Sequence, residues 1–328
     1  MINLTTSYMG LTIKNPIIAS SSRLTSTVSN VVACALAGAG AVVLKSIFEE
    51  QIVARATQKT MRDEMYFWYP EASDHIINLG KKSGMDEYLQ FVSEAKAAVN
   101  IPIIASINCV SPVEWPKYAT KLQDAGADAI ELNIAIFPFD KNVSSLQIED
   151  TYVEIFTEVK KYVTIPVSVK LGAHFTNIHN ITYRLADAGA DALVLFNRFY
   201  NPDIDIADIK VVAENVFSSP DEKSVSMRWI ALLHADGIPC DLSASTGIHY
   251  ASCVVKQLLA GATVTQVCTT LYQNGIPYIA DLVSGLEVWM TKNQFKSIND
   301  FRGLVNKQQE STAAFERIQF LKKNFDEL

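Results

Sequence analysis

The sequence predicts an α/β protein of one domain, a (β/α)8 barrel of eight parallel strands that spans residues 1–328. Two kinds of short apolar run alternate along the chain, four of each kind. Segments with a helix-like pattern separate them. About half of the residues, 49%, are hydrophobic and 19% are charged, which suits a large core and excludes a disordered chain.

The first kind of run begins with proline, continues with apolar residues and ends in small polar residues. It occurs at residues 15–20, 101–106, 165–170 and 238–243. Proline is tolerated at the first residue of a strand because no ladder N–H is lost there. These four segments are therefore predicted strands.

The second kind follows an Ala-Gly-Ala turn. The turns lie at residues 37–39, 125–127, 188–190 and 260–262, and the apolar runs at 42–45, 129–133, 192–196 and 264–267. Glycine just after a helical pattern is typical of a helix C-cap, so each turn marks the passage from a helix to a strand.

Helix-like patterns cover residues 113–125, 177–188 and 251–260. Short apolar strands that alternate with helices indicate a parallel sheet buried on both faces. Eight such units close into a TIM barrel, and a doubly wound open sheet is the alternative. The segment 48–100 is too long for one unit and is expected to add strands or a lid over the barrel mouth. Residues 292–328 are expected to form one or two surface helices.

Charge and cysteine usage narrow the class of protein. The net charge is −7, which argues against nucleic acid as the main partner. No signal peptide or apolar stretch of membrane-spanning length is visible, so a cytoplasmic protein without membrane attachment is expected. None of the five cysteines forms a CxxC pair, and no histidine pair has ligand spacing, so no metal site is predicted.

Polar residues gather where the predicted strands end, which is where barrel enzymes build their active sites. The candidates are Ser20, Ser21, Lys45, Ser46, Asn108, Asn133, Lys170, Asn197, Thr246, Gly247, Thr269 and Thr270. Two lysines and three amides suit an anionic ligand rich in hydrogen-bonding groups. The lysines have alternatives, since a strand-end lysine can extend to solvent or form a Schiff base in an aldolase-type barrel.

The last two strand ends suit a phosphate group. Gly247 lets backbone N–H groups approach an anion, and Thr246, Thr269 and Thr270 add hydroxyls at the position where many barrels bind phosphate. The same residue types also serve as plain helix N-caps.

Several motifs resemble those of the dihydroorotate dehydrogenases, especially the class 1 enzymes, over nearly the whole chain. They are the opening residues 9–21, Lys45-Ser46, Glu131-Leu-Asn133, Val169-Lys170-Leu171, Leu195-Phe196-Asn197, residues 259–262, Gln266-Val-Cys-Thr269 and the tail 295–303. The resemblance implies an FMN cofactor held by the strand-end residues above. It places an anionic, dihydroorotate-like substrate at Lys45, Asn78, Asn133 and Asn197, and it implies oxidation to orotate in pyrimidine biosynthesis.

The match fails at the catalytic base. A cysteine or serine in this family removes the substrate proton while hydride passes to FMN. The corresponding position here is Ile136, which cannot accept a proton. Cys109, Ser111 or a residue of the 48–100 segment is a potential substitute. The loop that contains Asn78 is shortened, Thr246 and Cys268 replace glycines of the phosphate turn, and Arg198 replaces a threonine.

Two functions follow from this pattern. The first is an FMN-dependent oxidoreductase with altered or impaired catalysis. The second is a non-catalytic homologue that has lost flavin and acts as a binding or partner protein, because Thr246 and Cys268 could block the phosphate. The resemblance also implies a homodimer and pairing with an iron–sulfur electron-transfer subunit.

Overall fold

A computed structural model describes residues 2–48, 70–109, 115–136, 138–199, 201–214, 216–307 and 315 of the chain. Its strands are β1 Thr6–Tyr8, β2 Leu11–Ile13, β3 Ile17–Ala19, β4 Ala41–Val43, β5 Ile47–Phe48, β6 Ile103–Cys109, β7 Ala129–Ile134, β8 Val167–Leu171, β9 Ala192–Leu195, β10 Asn201–Asp205, β11 Lys210–Glu214, β12 Asp241–Ser245 and β13 Val264–Val267. Its α-helices are α1 Val28–Leu36, α2 Pro70–Ala98, α3 Trp115–Asp124, α4 Ser145–Lys160, α5 Ile178–Asp187, α6 Lys223–Asp236, α7 Ala251–Ala260, α8 Thr269–Asn274 and α9 Tyr278–Lys292.

Eight parallel strands close into a barrel. Their order around it is β4, β3, β13, β12, β9, β8, β7 and β6, and β6 pairs back onto β4 through Val42 opposite Ile103. The predicted (β/α)8 barrel is therefore confirmed, and the open-sheet alternative is wrong. The short strand β5 also pairs with β6, at Ile107 and Asn108, so it prolongs β4 beyond a break at residues 44–46.

The Ala-Gly-Ala turns end helices as predicted. Gly38, Gly126, Gly189 and Gly261 have φ angles between +94° and +116°. Glycine adopts this backbone region without steric cost, which is why it stands at each passage from helix to strand.

An aspartate after two of these turns ties neighbouring units together. Asp128 accepts the backbone N–H of Ile103 at 2.8 Å and pairs with Lys96 at 2.7 Å. Asp191 does the same for Val167 at 2.8 Å and Lys160 at 2.5 Å. Each carboxylate thus satisfies an N–H at the start of the preceding strand and holds the lysine of a nearby helix.

The barrel interior changes from apolar to polar along its axis. The hairpin β1–β2 closes the amino end, where Tyr8 and Ile13 pack with inward-facing residues such as Ile18 and Ile104. Burial and the nearby Asp241 and Glu131 carboxylates raise the pKa of Tyr8 well above its usual range. Because this end is sealed, the carboxyl ends of the strands form the open mouth.

The segments outside the barrel differ in part from what the sequence predicts. The segment 48–100 is not wholly an insertion, since α2 ends in an ordinary barrel helix with Met85, Val92 and Ala95 buried against the core. Residues 49–69 lie outside the described part, so the lid remains a prediction. After α9, residues 293–307 hold 3-10 turns at Ile298–Asp300 and Leu304–Lys307, and the described residue Phe315 is helical, so the expected helices of the tail remain a prediction. The hairpin β10–β11 was not foreseen.

Replacing Asp128 by alanine should lower the free energy of unfolding by about 2 kcal/mol, because the Ile103 N–H loses its partner. Urea denaturation measures the change. Asp124→Ala, on the exposed end of α3, is the control and should stay within about 0.5 kcal/mol of the unchanged protein. Equal losses in both variants would contradict the role given to Asp128.

Candidate functional site at the barrel mouth

A buried polar network crosses the barrel one layer above the apolar end. Lys170 Nζ on β8 lies 3.6 Å from Glu131 Oε1 on β7. The same ammonium is 3.4 Å from Ser20 Oγ and 3.4 Å from Gln266 Oε1. Gln266 Nε2 donates to Glu131 Oε2 at 2.6 Å. All four side chains are buried, so the barrel holds a lysine–glutamate ion pair directly beneath its mouth.

A row of hydroxyl groups continues this network toward α2. Ser46 Oγ lies 3.1 Å from Ser21 Oγ and 2.7 Å from Ser106 Oγ. Tyr88 of α2 donates its hydroxyl to the Ser106 carbonyl at 3.2 Å. The Ser46 hydroxyl is therefore engaged by its neighbours, whereas Ser21 lines the cavity described below.

Two of the predicted amides meet over the end of β8. Asn197 Nδ2 donates to Asn133 Oδ1 at 2.9 Å. The Asn133 amide then keeps its two N–H groups and the Asn197 amide keeps its carbonyl oxygen. The pair can both donate to and accept from one ligand. Asn108 is buried beside Asn133 in the β6–β7 register, and Lys45 is half-buried after β4.

A cavity of about 170 Å³ opens between this network and the ends of β12 and β13. It is lined by Ser20, Ser21, Lys170, Asn197, Arg198, Val216, Ser218, Ser245, Thr246, Gly247, Ile248, Gln266, Cys268 and Thr269. One water occupies roughly 30 Å³ of liquid, so the cavity has room for a phosphate group. The side chains of Thr246 and Cys268 line this space and leave it open.

The donors at the far end of the cavity are held by a buried serine. Ser218 Oγ accepts from Gly247 N–H at 3.4 Å and donates to Thr269 Oγ1 at 3.1 Å. His249 Nε2 lies 3.2 Å from the same hydroxyl. Ser218 and His249 were not foreseen, because Ser218 follows a hairpin that no sequence pattern predicted.

Some predicted residues lie elsewhere. Thr270 is fully buried and donates to the His249 carbonyl at 3.0 Å, so it does not line the cavity as expected. Asn78 lies within α2 and not in the expected loop, and its side chain is outside the described residues. Cys109 ends β6 with its side chain likewise undescribed, and Ser111 falls in the gap.

The position that the family resemblance assigns to the catalytic base is apolar. Ile136 is half-buried just beyond β7, packs against the hydrophobic core, and donates its N–H to Tyr152 Oη at 3.5 Å. The thiol of Cys268 lines the cavity, but burial raises its pKa, so it stays protonated at neutral pH. Neither side chain is suited to remove a proton.

A second cavity of about 360 Å³ adjoins the first at Asn197 and Arg198. His174 lines it, with its ring stacked on Phe175 at 5.1 Å and close to Phe199 at 5.6 Å. Partial burial lowers the pKa of His174, which leaves a neutral imidazole at pH 7. Sequence reasoning considered this histidine only as a metal ligand and missed its place at the rim.

The part of the chain that the structure describes contains no cluster of three or more His, Cys, Asp or Glu side chains arranged to hold a metal ion. No helix of this part is long and apolar enough to cross a membrane.

The sequence is similar to those of known proteins. The family model for dihydroorotate dehydrogenase matches residues 3–290. The catalytic subunit of dihydroorotate dehydrogenase B (NAD(+)) from Thermoplasma acidophilum is 28% identical over 312 residues, which cover 93% of this chain and 99% of that protein. The corresponding subunit from Methanothermobacter thermautotrophicus is 28% identical over 315 residues, 92% of this chain and 98% of that protein. A putative dihydroorotate dehydrogenase A (fumarate) from Aeropyrum pernix is 26% identical over 244 residues, 73% of this chain and 79% of that protein.

The buried pair of Lys170 and Glu131 can be tested by a double-mutant cycle. Glu131→Leu and Lys170→Met should each lower the free energy of unfolding by about 3–5 kcal/mol, since each leaves a buried charge uncompensated. The double variant should lose at least about 2 kcal/mol less than the sum of the single variants. Chemical denaturation supplies the values, and strictly additive losses would show that the two groups do not interact.

Proposed function

The chain belongs to the dihydroorotate dehydrogenase family, and on that premise we propose that it is an FMN-dependent oxidoreductase with altered or impaired turnover of dihydroorotate. One observation carries the proposal. The polar groups that suit a flavin are assembled around an open cavity, whereas Ile136 occupies the position of the proton acceptor.

The chemistry of the donor set fits FMN. Lys170 supplies a buried cation, and Ser20 and Ser21 supply hydroxyls beside it, as the carbonyl and nitrogen acceptors of a flavin ring require. Gly247 and Thr269 supply an N–H and a hydroxyl at the phosphate end. When bound, FMN would act as the hydride acceptor of the reaction.

The remaining side chains determine what can be done to a substrate. Asn133 and Asn197 offer a donor and an acceptor that orient a planar amide-containing ring, and Lys45 would neutralise an anionic group. Proton removal is the step that lacks a residue at its usual place. General-base catalysis typically contributes 10²–10⁴-fold to a rate, so its loss predicts very slow dihydroorotate oxidation.

The alternative function is a binding or partner protein that has lost the flavin. The observation that favours it is the Ser218 hydroxyl, which already engages the Gly247 N–H and the Thr269 hydroxyl. A bound phosphate would have to displace or share these contacts. The opposing observation is the open cavity beside them, which Thr246 and Cys268 do not fill.

The proposal extends to assembly and location. We propose a homodimer and, because relatives are named catalytic subunits, an iron–sulfur electron-transfer partner in the cytoplasm. The hairpin β10–β11 supports self-association. Its Ile204, Ile206 and Val211 are 61%, 89% and 75% exposed, which is unusual for large apolar side chains unless another surface covers them.

The purified protein should show the visible absorption bands of bound flavin, and anaerobic dihydroorotate should bleach them far more slowly than in an enzyme with its base. Ile136→Cys should speed bleaching by about a hundredfold, because a thiol can accept the proton that isoleucine cannot. Stopped-flow absorbance measures both rates. Ile148→Cys, on the half-buried face of α4, is the matched control and should leave the rate unchanged.

Each other outcome has a distinct meaning. Fast bleaching of the unchanged protein would show that a replacement base exists, and His174→Gln and Cys109→Ala would then identify it. Bands that dihydroorotate never bleaches, even with Ile136→Cys, would indicate a different substrate. Absence of flavin after FMN is supplied would favour the binding protein.

The hairpin can be tested separately. The pair of changes Ile206→Asp and Val211→Asp should raise the dimer dissociation constant by about a hundredfold, because like charges would be buried without partners. Sedimentation velocity measures the change. Val288→Asp, at another exposed apolar residue on α9, is the control and should leave the dimer intact. A monomeric unchanged protein would refute the homodimer.

A further inference from the structure

Arg198 holds the segment that closes the far end of the cavity. Its Nε donates to Glu222 Oε2 at 2.7 Å, and its NH1 donates to the Val216 carbonyl at 3.2 Å. These contacts lie on either side of Ser218. The Arg198 side chain is 17% exposed, and the residue lines both cavities of the mouth.

The segment that Arg198 holds delivers Ser218 to the phosphate end. Ser218 is 7% exposed, and its backbone N–H also donates to Thr269 Oγ1 at 3.2 Å. The turn opposite has positive φ angles at Thr246, +74°, and Gly247, +75°, which direct its backbone toward Ser218. The Gly247 N–H therefore points at Ser218 Oγ, and the Ser218 N–H and hydroxyl both point at Thr269 Oγ1.

The charge of a ligand determines whether this group of donors can bind it. A phosphate monoester carries up to two negative charges and needs a cation in addition to neutral donors. Lys170 is committed to the Glu131 carboxylate at the barrel centre. Arg198 follows Asn197 at the end of β9. Two residues earlier, the Phe196 carbonyl accepts a hydrogen bond from the Thr246 hydroxyl. Arg198 therefore lies beside the turn formed by Thr246 and Gly247.

We propose that Arg198 is the cation of a phosphate-monoester site formed with Gly247, Ser218 and Thr269, and that Glu222 competes with the phosphate for this guanidinium. The planar fork of arginine suits two phosphate oxygens at once. If the phosphate belongs to FMN, the inference rests on the proposed function. The same chemistry would hold a phosphate from another source.

The test compares FMN with riboflavin, which lacks the phosphate, on the full chain stripped of flavin. Arg198→Met should weaken FMN binding about tenfold to a hundredfold and leave riboflavin binding within about twofold, because one charge-assisted contact is lost. Flavin fluorescence quenching gives both dissociation constants. Arg228→Met, an exposed arginine of α6, changes the net charge equally and should alter neither constant.

A substitution expected to tighten FMN binding distinguishes phosphate binding by Arg198 from a purely structural role of this residue. Glu222→Gln keeps an acceptor for the Ser219 N–H, which Glu222 Oε1 accepts at 2.6 Å. It removes the competing charge, so FMN should bind about three- to tenfold more tightly. If Arg198 only held the segment in place, the same change would loosen the segment and weaken FMN.

Thermal stabilisation by inorganic phosphate provides a test that does not depend on flavin. At matched ionic strength, phosphate should raise the Tm of the flavin-free chain more than chloride does, and Arg198→Met should abolish the difference. If phosphate stabilises the chain in this way but the chain binds no flavin, the phosphate site is supported and the proposed function is refuted. Equal weakening of FMN and riboflavin by Arg198→Met, or no phosphate-specific stabilisation, would overturn the inference.

Discussion

Lys170 carries its ammonium into the interior of the barrel, where the Glu131 carboxylate 3.6 Å away compensates the charge. An isolated charge in that position would cost several kcal/mol, so the pair determines which neighbours are acceptable. Gln266 donates to one oxygen of the carboxylate, and Ser20, which follows β3 on the opposite side of the barrel from β8, contacts the ammonium. The apolar end sealed by the first hairpin supports this polar layer. The polar layer in turn places the Lys170–Glu131 ion pair directly beneath whatever occupies the mouth.

The mouth combines a polar donor set with an apolar side chain at the place where the family resemblance expects a base. The cation, hydroxyls and amides that would hold a flavin are present and hydrogen-bonded. Ile136 is the apolar side chain, and the half-buried Cys268 thiol beside the phosphate turn holds its proton. His174 is a neutral imidazole on the rim, in a cavity that adjoins the first. In the proposed function, this arrangement would hold a redox cofactor but would lack the usual residue for moving a proton.

The phosphate end joins elements that are distant in the chain. Arg198 follows β9, Ser218 follows the hairpin β10–β11, and Gly247 and Thr269 follow the last two barrel strands. The Arg198–Glu222 pair connects the first of these elements to the beginning of α6. An arginine shared between a carboxylate and an anion site makes the affinity of that site depend on the strength of the competing pair. Binding and local order are thus linked through one side chain.

Sequence pattern alone determined the barrel, because the alternation of proline-led runs and Ala-Gly-Ala turns repeats in every unit and each signal has a local cause. It also determined which residues stand at the strand ends, among them Lys170, Asn133 and Gly247, since strand ends follow directly from strand positions. Tertiary structure decided which of these side chains meet. The Thr270 hydroxyl donates to the His249 carbonyl and does not line the cavity. Ser218 lies in the site although it follows a hairpin that no periodic sequence pattern predicts. Contacts between residues far apart in the chain depend on how loops fold over the barrel, and no local pattern encodes that geometry.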